Sequence, residues 1–406
     1  MQKNENRAGY KKTKVGWIPE DWECLPFTDV FDRVVVPLAP IETETYQEIG
    51  VRSHGKGIFH KEPVTGADIG SKRVFHCQPG ALVFNIVFAW EQAVAVLSEQ
   101  ERGLIASHRF PMYKGKEGQA FEPFFLYFFK TRKGKNGLGI ASPGGAGRNK
   151  TLGQKDMEYL YVPKPTRSEQ VMIAGVLECW HRGIRNLELK IVKKRNIKKG
   201  LMQRLLSGKQ RLPGFEGEWK DVRLGEVCSM KSGETITSKS IYDKAEYRCF
   251  GGNGLRGFTT TFTHDGAFVL IGRQGALCGN VHLVSGRFYA SEHAIVATPS
   301  EGTNPLWFAE SLRFMNLNRH TESSAQPGLS VSKILRMNIA APPPSEQQAI
   351  ASVLSASDEE IADLERKLVV LKEQKRFLLN NLVTGTIRLP EFVGAAQTAD
   401  TKGDTE

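Results

Sequence analysis

The sequence predicts an α+β protein in which two globular heads of mixed α/β character, built on short strands, are separated by two long helices that pair as an antiparallel coiled coil. Three observations predict it: an ungapped internal repeat, a heptad pattern inside each copy, and two matching stretches of short β-like runs ahead of the copies. The repeat makes the arrangement pseudo-twofold. It divides the chain into a head over 1–166, a helix over 167–209, a second head over 210–344, a second helix over 345–392 and a tail over 393–406. The tail, rich in Ala, Thr, Asp and Gly, reads as disordered.

Length and composition agree with several domains. A chain of 406 residues exceeds the size at which one core stops growing, and 40% hydrophobic against 24% charged residues leaves ample material for burial. Fifty-five Lys and Arg against 44 Asp and Glu leave a net charge of +11, the kind of surface that neutralises phosphates. The six cysteines fall in no metal-ligand spacing and read as reduced packing residues. The N-terminus is polar, and no apolar run reaches membrane-spanning length, which predicts a soluble, cytoplasmic protein.

The repeat aligns Ser168–Phe215 with Ser345–Phe392 at a constant offset of 177, with about 20 of 48 positions identical. Both copies open on Ser-Glu-Gln and close on Arg-Leu-Pro-x-Phe (Arg211 to Phe215 and Arg388 to Phe392). Ile173, Leu177, Trp180, Ile184, Leu187 and Ile191 in one copy, and Ile350, Leu354, Ile361, Leu364, Leu368 and Leu371 in the other, trace one narrow seam. A lone helix would expose that seam, so the two copies are expected to pair. Charge favours the pairing: the first copy carries 11 basic and three acidic residues, net +8, and the second six basic and eight acidic, net −2. Lys194, Lys198, Ser357 and Lys375 interrupt the seam. Ser168 and Ser345 are the expected N-caps, and Gly208 and Gly385 the expected C-terminal caps.

The heads repeat more faintly. Trp22 and Trp219 open them, Ala81–Phe84 answers Ala267–Leu270, Ala106-Ser107-His108 resembles Ala290-Ser291-Glu292-His293, and Leu152 answers Leu329. The first head is longer by 20 residues from its Trp to its Ser-Glu-Gln, since 146 − 126 = 20. One scaffold with divergent loops implies two different targets.

Three phrases carry a resemblance to a known family: Gly16-Trp17-Ile18-Pro19-Glu20-Asp21-Trp22, Leu201-Met202-Gln203-Arg204-Leu205-Leu206-Ser207-Gly208, and Pro342-Pro343-Pro344-Ser345-Glu346-Gln347-Gln348-Ala349-Ile350. With the order head, helix, head, helix, the chain resembles the specificity subunits of type I restriction-modification systems over nearly its whole length. The resemblance implies two target recognition domains, each reading one half of an asymmetric, gapped site in double-stranded DNA. It implies two methyltransferase (modification) subunits docked on the helices and two restriction (motor-nuclease) subunits. It implies no cofactor on this chain, with S-adenosylmethionine on the methyltransferase and ATP and Mg on the motor-nuclease. At ~1.5 Å per residue, ~40 helical residues span about 60 Å, comparable to ~18 base pairs, a length suited to a ruler between half-sites.

Base reading calls for Arg, Asn and Gln on loops that enter a groove. In the second head, Phe250-Gly251-Gly252-Asn253-Gly254-Leu255-Arg256-Gly257 offers Asn253 and Arg256 among four glycines, a phrase that resembles one common in these recognition domains. Ile271-Gly272-Arg273-Gln274-Gly275 offers Arg273 and Gln274, and His293 and Gln326 complete the set. In the first head the analogous loop is Val51-Arg52-Ser53-His54-Gly55-Lys56-Gly57, with Arg52, Ser53, His54 and Lys56 as candidates. Lys72 and Arg73 would hold phosphates, and Arg148, Asn149 and Lys150 form a further basic loop. The competing reading of every one of these is a glycine-rich hairpin or a solvated surface.

Enzyme motifs are near misses. Gly144-Gly145-Ala146-Gly147-Arg148-Asn149-Lys150-Thr151 lacks the second glycine of a phosphate loop. Asn304-Pro305-Leu306-Trp307 lacks the second proline of an adenine methyltransferase pocket, and Pro305 fits the first turn of a helix. Glu188-Leu189-Lys190 lies on the flank of the first long helix. The chain therefore reads as non-catalytic; a protein-binding coiled-coil scaffold and an orphan DNA-binding subunit are the alternatives.

Overall fold

The computed structural model describes residues 8–144, 150–275, 278–321 and 328–393. The expected disordered tail, apart from Val393, lies outside the described residues. Four helices organise the fold: α1 (Glu122–Phe129), α2 (Arg167–Leu205), α3 (Pro305–Met315) and α4 (Pro344–Leu382). The two long ones are 39 residues each, and they stop at Leu205 and Leu382 rather than at the expected 209 and 392, because each is followed by a turn through a left-handed glycine, Gly208 or Gly385.

The compact units do not coincide with the five segments drawn from the sequence. Unit 1 comprises 1–186 and 368–406, and unit 2 comprises 187–367. Each unit thus holds one head, one half of α2 and the opposite half of α4. The physical reason is burial: the seam residues of each helix half belong to a head's own core. Ile173, Leu177, Leu382 and Val383 join Trp22, Phe27, Phe124 and Phe128 in unit 1, while Leu205, Ile350 and Leu354 join Leu224, Val269, Trp307 and Phe308 in unit 2.

Within each unit the helices run antiparallel. In unit 1, Lys375 Nζ lies 3.1 Å from His181 Nδ1. In unit 2, Lys194 meets Glu360 at 2.7 Å and Lys198 meets Asp358 at 2.6 Å. Three of the four polar seam positions are thereby paired, and the Ser357 hydroxyl donates to the Val353 carbonyl.

Unit 1 carries a four-stranded antiparallel sheet in the order Val94–Val96, Leu82–Phe84, Met112–Gly115, Phe31–Val34, and a three-stranded one in the order Ile105–Ser107, Val74–His76, Pro37–Leu38. Unit 2 folds its shorter head into one six-stranded sheet, in the order Cys228–Ser232, Ala294–Pro299, His264–Gly272, Val281–Ala290, Tyr247–Gly251, Gly254–Thr259. In both, a strand after the opening Trp pairs with the strand that leads into the long helix: Glu23–Pro26 with Tyr161–Lys164, and Lys220–Arg223 with Asn338–Ala341.

The repeated phrases have one structural meaning. The indole Nε1 of Trp22 donates to Glu169 at 3.0 Å, and that of Trp219 donates to Glu346 at 3.0 Å. Each fully buried carboxylate also takes a two-pronged arginine contact: Arg388 on Glu169 at 3.0 and 2.7 Å, and Arg211 on Glu346 at 2.6 Å twice. Bidentate geometry and three charge-assisted bonds offset the cost of burying the pair. The end of one helix copy thereby locks the start of the other.

The glutamine of Ser-Glu-Gln does a second job in both units. Gln170 accepts from the Phe121 N–H at 2.7 Å and donates to the Pro165 carbonyl, and Gln347 accepts from the Asn304 N–H at 2.9 Å and donates to the Pro342 carbonyl. It therefore fastens the start of α1 and of α3, which makes the two short helices equivalent at an offset of 183.

The cap assignments need one correction. Ser168 and Ser345 sit inside the first turn; Thr166 Oγ1 accepts from the Glu169 N–H, and Pro344 takes the first helical position, where its missing N–H costs nothing. Gly208 and Gly385 do cap, at φ +70° and +67°. A Cβ on Gly385 would lie 2.3 Å from Pro19, so only glycine fits there.

Candidate nucleic-acid interface

In unit 2 the loop candidates converge. Strands Tyr247–Gly251 and Gly254–Thr259 form a hairpin whose tip is Gly252-Asn253, with Gly254 at φ +85°. A Cβ on Gly252 would lie 2.8 Å from the His293 carbonyl oxygen, so the hairpin tip approaches the 291–293 turn as only glycine permits. Between them opens a cavity of about 420 Å³ lined by Asn253, Arg256, Gln274 and His293 on glycine walls. Asn253, Arg256, Gln274 and His293 are exposed, so their donors and acceptors face an accessible concave surface. The turn that carries His293 is pinned beside the cavity: the Ser291 N–H donates to the Phe250 carbonyl, and Glu292 accepts from the Ile236 N–H.

Arg273 behaves differently. It is half-buried, its guanidinium donates to Ser232 Oγ at 2.9 Å, and its backbone joins His293 and Leu329. It braces the cavity rather than lining it. Gln326 lies outside the described residues.

In unit 1 the loop 52–57 joins strands Ile49–Val51 and Ile58–His60. Arg52 stacks on Phe59 at 4.7 Å and donates to the Ile58 carbonyl. The Ser53 hydroxyl donates to Glu91, and His54 adopts φ +61° with its N–H on the Glu91 carbonyl. Gly55 donates to the Gln92 carbonyl, and Gln92 in turn donates to Phe129 and Thr131 carbonyls at the end of α1. The loop is thus fixed to the helix, with Arg52, His54 and Lys56 exposed along it.

Lys72 is committed elsewhere. With Lys61 it pairs to Glu48, a buried carboxylate; burial pushes that carboxyl up, but the two lysines win and hold it below its ordinary range. Arg73 is exposed, and its carbonyl accepts from the His108 N–H. Arg148 and Asn149 lie outside the described residues; Lys150 stands over the Trp90 ring at 5.6 Å.

One near-miss motif resolves into structure, while residues 145–149 of the phosphate-loop near miss lie outside the described residues. Asn304 caps α3, accepting from Leu306 and Trp307 N–H groups at 3.0 and 2.9 Å, with Pro305 in the first turn. Cys77 and Cys228 are buried, and burial pushes both thiols up to about 12. Among the described residues no group of three or more His, Cys, Asp or Glu side chains is arranged to hold a metal, and no helix is long and apolar enough to cross a membrane.

Sequence reasoning overlooked one cluster. Lys130, Tyr127, Glu178, His181 and Lys375 meet on the helix pair of unit 1, where the Tyr127 hydroxyl donates to Glu178 at 3.0 Å and Lys130 stands 5.6 Å from the Tyr127 ring. The offset of 177 could have found it, because it sets Lys375 opposite Lys198 and His181 opposite Asp358.

Comparison with known proteins agrees with this architecture. Residues 216–373 match the family described as type I restriction modification DNA specificity domain. The EcoprrI type I restriction enzyme specificity subunit of Escherichia coli is 44% identical over 147 residues, 35% of this chain and 37% of that relative. The alignment thus spans little more than a third of it. The MjaX specificity subunit of Methanocaldococcus jannaschii is 22% identical over 95% of this chain and 98% of its own. Two crystal structures share the fold: the HsdS subunit of Thermoanaerobacter tengcongensis (17% identity, 91% of this chain and 98% of that one, TM-score 0.54) and the S subunit of a type I system of M. genitalium (14%, 89% and 96%, TM-score 0.61). Residues 216–373 thus match the type I restriction modification DNA specificity domain, and the chain shares the fold of these two specificity-subunit structures over about nine tenths of its length.

Proposed function

We propose that each head reads one half of a bipartite, asymmetric site in double-stranded DNA, and that the chain directs adenine-N6 methylation and restriction by partner subunits while doing no chemistry itself. The observation that carries this reading is the unit 2 cavity, which brings Asn253, Arg256, Gln274 and His293 to one glycine-walled surface. Amide and guanidinium groups on such a surface match the donor and acceptor pattern of base edges. The loop 52–57 offers a different set on the equivalent head, as two unlike half-sites require. The partners are two modification subunits and two restriction subunits, with S-adenosylmethionine on the former and ATP with Mg on the latter. The reading places the chain in the cytoplasm with the DNA it addresses. The long helices set the gap, so one heptad added to each should lengthen it and leave both half-sites unchanged.

The test is modified-base sequencing of DNA from cells carrying the chain with its modification subunit, against cells lacking only the chain. A bipartite methyladenine motif present only with the chain is the expected result. A stable complex that yields no motif would make the chain a scaffold.

A further inference from the structure

The two helix pairs differ in one place that sets their charge. In unit 2, Lys198 reaches Asp358 at 2.6 Å and Glu310 at 3.4 Å, and Arg313 reaches Glu310 at 2.5 Å. Two cations meet two carboxylates, and the cluster is neutral. In unit 1 the equivalents of the two cations are Lys375 and Lys130, at offsets of 177 and 183. The equivalents of the two acids are His181 and Tyr127. The nearby carboxylate, Glu178, accepts the Tyr127 hydroxyl, and among the described residues neither lysine forms an ion pair. Lys375 Nζ and His181 Nδ1 converge at 3.1 Å.

We propose that Lys130, Lys375 and His181 form a site for one phosphate of the DNA backbone, present in unit 1 and absent from unit 2. The inference rests on the DNA-reading role. Glu178 attracts both lysines without pairing directly with either, so one carboxylate faces two half-buried cations, and an incoming anion balances the excess charge. The groups already feel each other: burial, then Lys375, draws Lys130 down to about 8, and burial, then Lys375, draws His181 below its ordinary value. DNA is favoured over an acidic protein surface by position. The stem of Lys130 packs under Gly55, where an added Cβ would lie 2.9 Å from it, so the site adjoins the loop bearing Arg52, His54 and Lys56. A phosphate there would lie beside a loop already aimed at the duplex, and phosphate contacts of this kind set register rather than sequence.

The test is binding of the full chain to a fluorescent 30-base-pair duplex by anisotropy across a potassium chloride series at pH 7. The informative variant is His181→Asp, which installs in unit 1 the acid that unit 2 has. It should raise the melting temperature, because Lys375 gains a partner, yet weaken duplex binding roughly 3- to 10-fold at moderate salt and lower the salt slope by about 1. A folding defect would move both readouts downward together. Lys130→Gln with Lys375→Gln should lower the slope by about 1 or slightly more. Affinity and slope equal to wild type in His181→Asp would overturn the site while leaving DNA reading intact. A wild-type chain with no salt-dependent duplex affinity would sink the DNA reading and this site with it. Stabilisation of the wild type by inorganic sulfate, with no variant effect on duplex binding, would assign the cluster to a free anion. Loss of modification-subunit binding with duplex binding unchanged would assign it to a protein surface.

Discussion

Units 1 and 2 share a latch, a glutamine clamp and an antiparallel helix pair, and they differ in what surrounds those shared parts. Unit 2 crosses its helices with ion pairs, Lys194 to Glu360, Arg195 to Glu365 and Lys198 to Asp358, whereas unit 1 sets Lys375 against an imidazole. Unit 2 presents its candidate readers around a cavity on one six-stranded sheet, and unit 1 presents them on a loop tied to the end of α1. The difference teaches that duplication preserved the parts that hold head to helix and released the parts that face a ligand. A latch must satisfy buried charges identically in both copies, because an unpaired one costs several kcal/mol. An exposed loop carries no such constraint.

The largest expected effect tests the shared part. Glu169→Gln leaves buried Arg388 with the exposed Asp21, 2.9 Å away, as its remaining carboxylate and should cost about 3 kcal/mol, the low end for breaking a buried pair. Glu346→Gln should cost less, because Arg211 is 28% exposed against 11% for Arg388. Urea unfolding of the full chain checks the order; equal losses would show that exposure of the arginine does not control the latch.

A middling effect tests the divergent part. Arg256→Ala should cost ~1 to 3 kcal/mol in specific binding and relax one position of one half-site. Arg273→Ala should act indirectly, through the cavity frame that its bond to Ser232 braces. Methylation motifs from each variant separate the two: relaxation of both half-sites by Arg256→Ala would contradict the division of labour between heads.

The smallest effect concerns pH. Lys130 faces Lys375 from α4, Glu178 and His181 from α2 and Tyr127 on its own helix, and its stem adjoins the loop with His54 and Lys56. Its cation is present below pH of about 8 and lost above it. Duplex affinity should therefore fall a few-fold between pH 7 and 9, and Lys130→Gln should flatten that fall. Folding stability moves the other way: above that pH the unfolded chain still holds a proton that the folded lysine has shed, so the lysine's contribution grows as pH rises toward its ordinary value. A pH profile unchanged by Lys130→Gln would remove Lys130 from the interface.

Much was legible in the chain. The ungapped repeat implied two equivalent helices, and their 3–4 spacing and opposite charge implied that they pair. The glycine phrase around Asn253 and Arg256 marked the loop that lines the cavity, and the glycines after each helix marked its end. These are local signals, written in consecutive residues or in a fixed period. Three things required the tertiary structure. Arg211 and Arg388 find Glu346 and Glu169 across separations of 135 and 219 residues, a pairing no spacing announces. Lys72 and Arg273 look like surface readers in the chain, and only packing spends the first on buried Glu48 and the second on Ser232. The cluster of Lys130 and Lys375, with two cations to one carboxylate, exists because α1 and the two long helices bring together three distant segments. Periodicity fixes what a residue's neighbours along a helix do, but the balance of charge at a point in space depends on every segment folded against it.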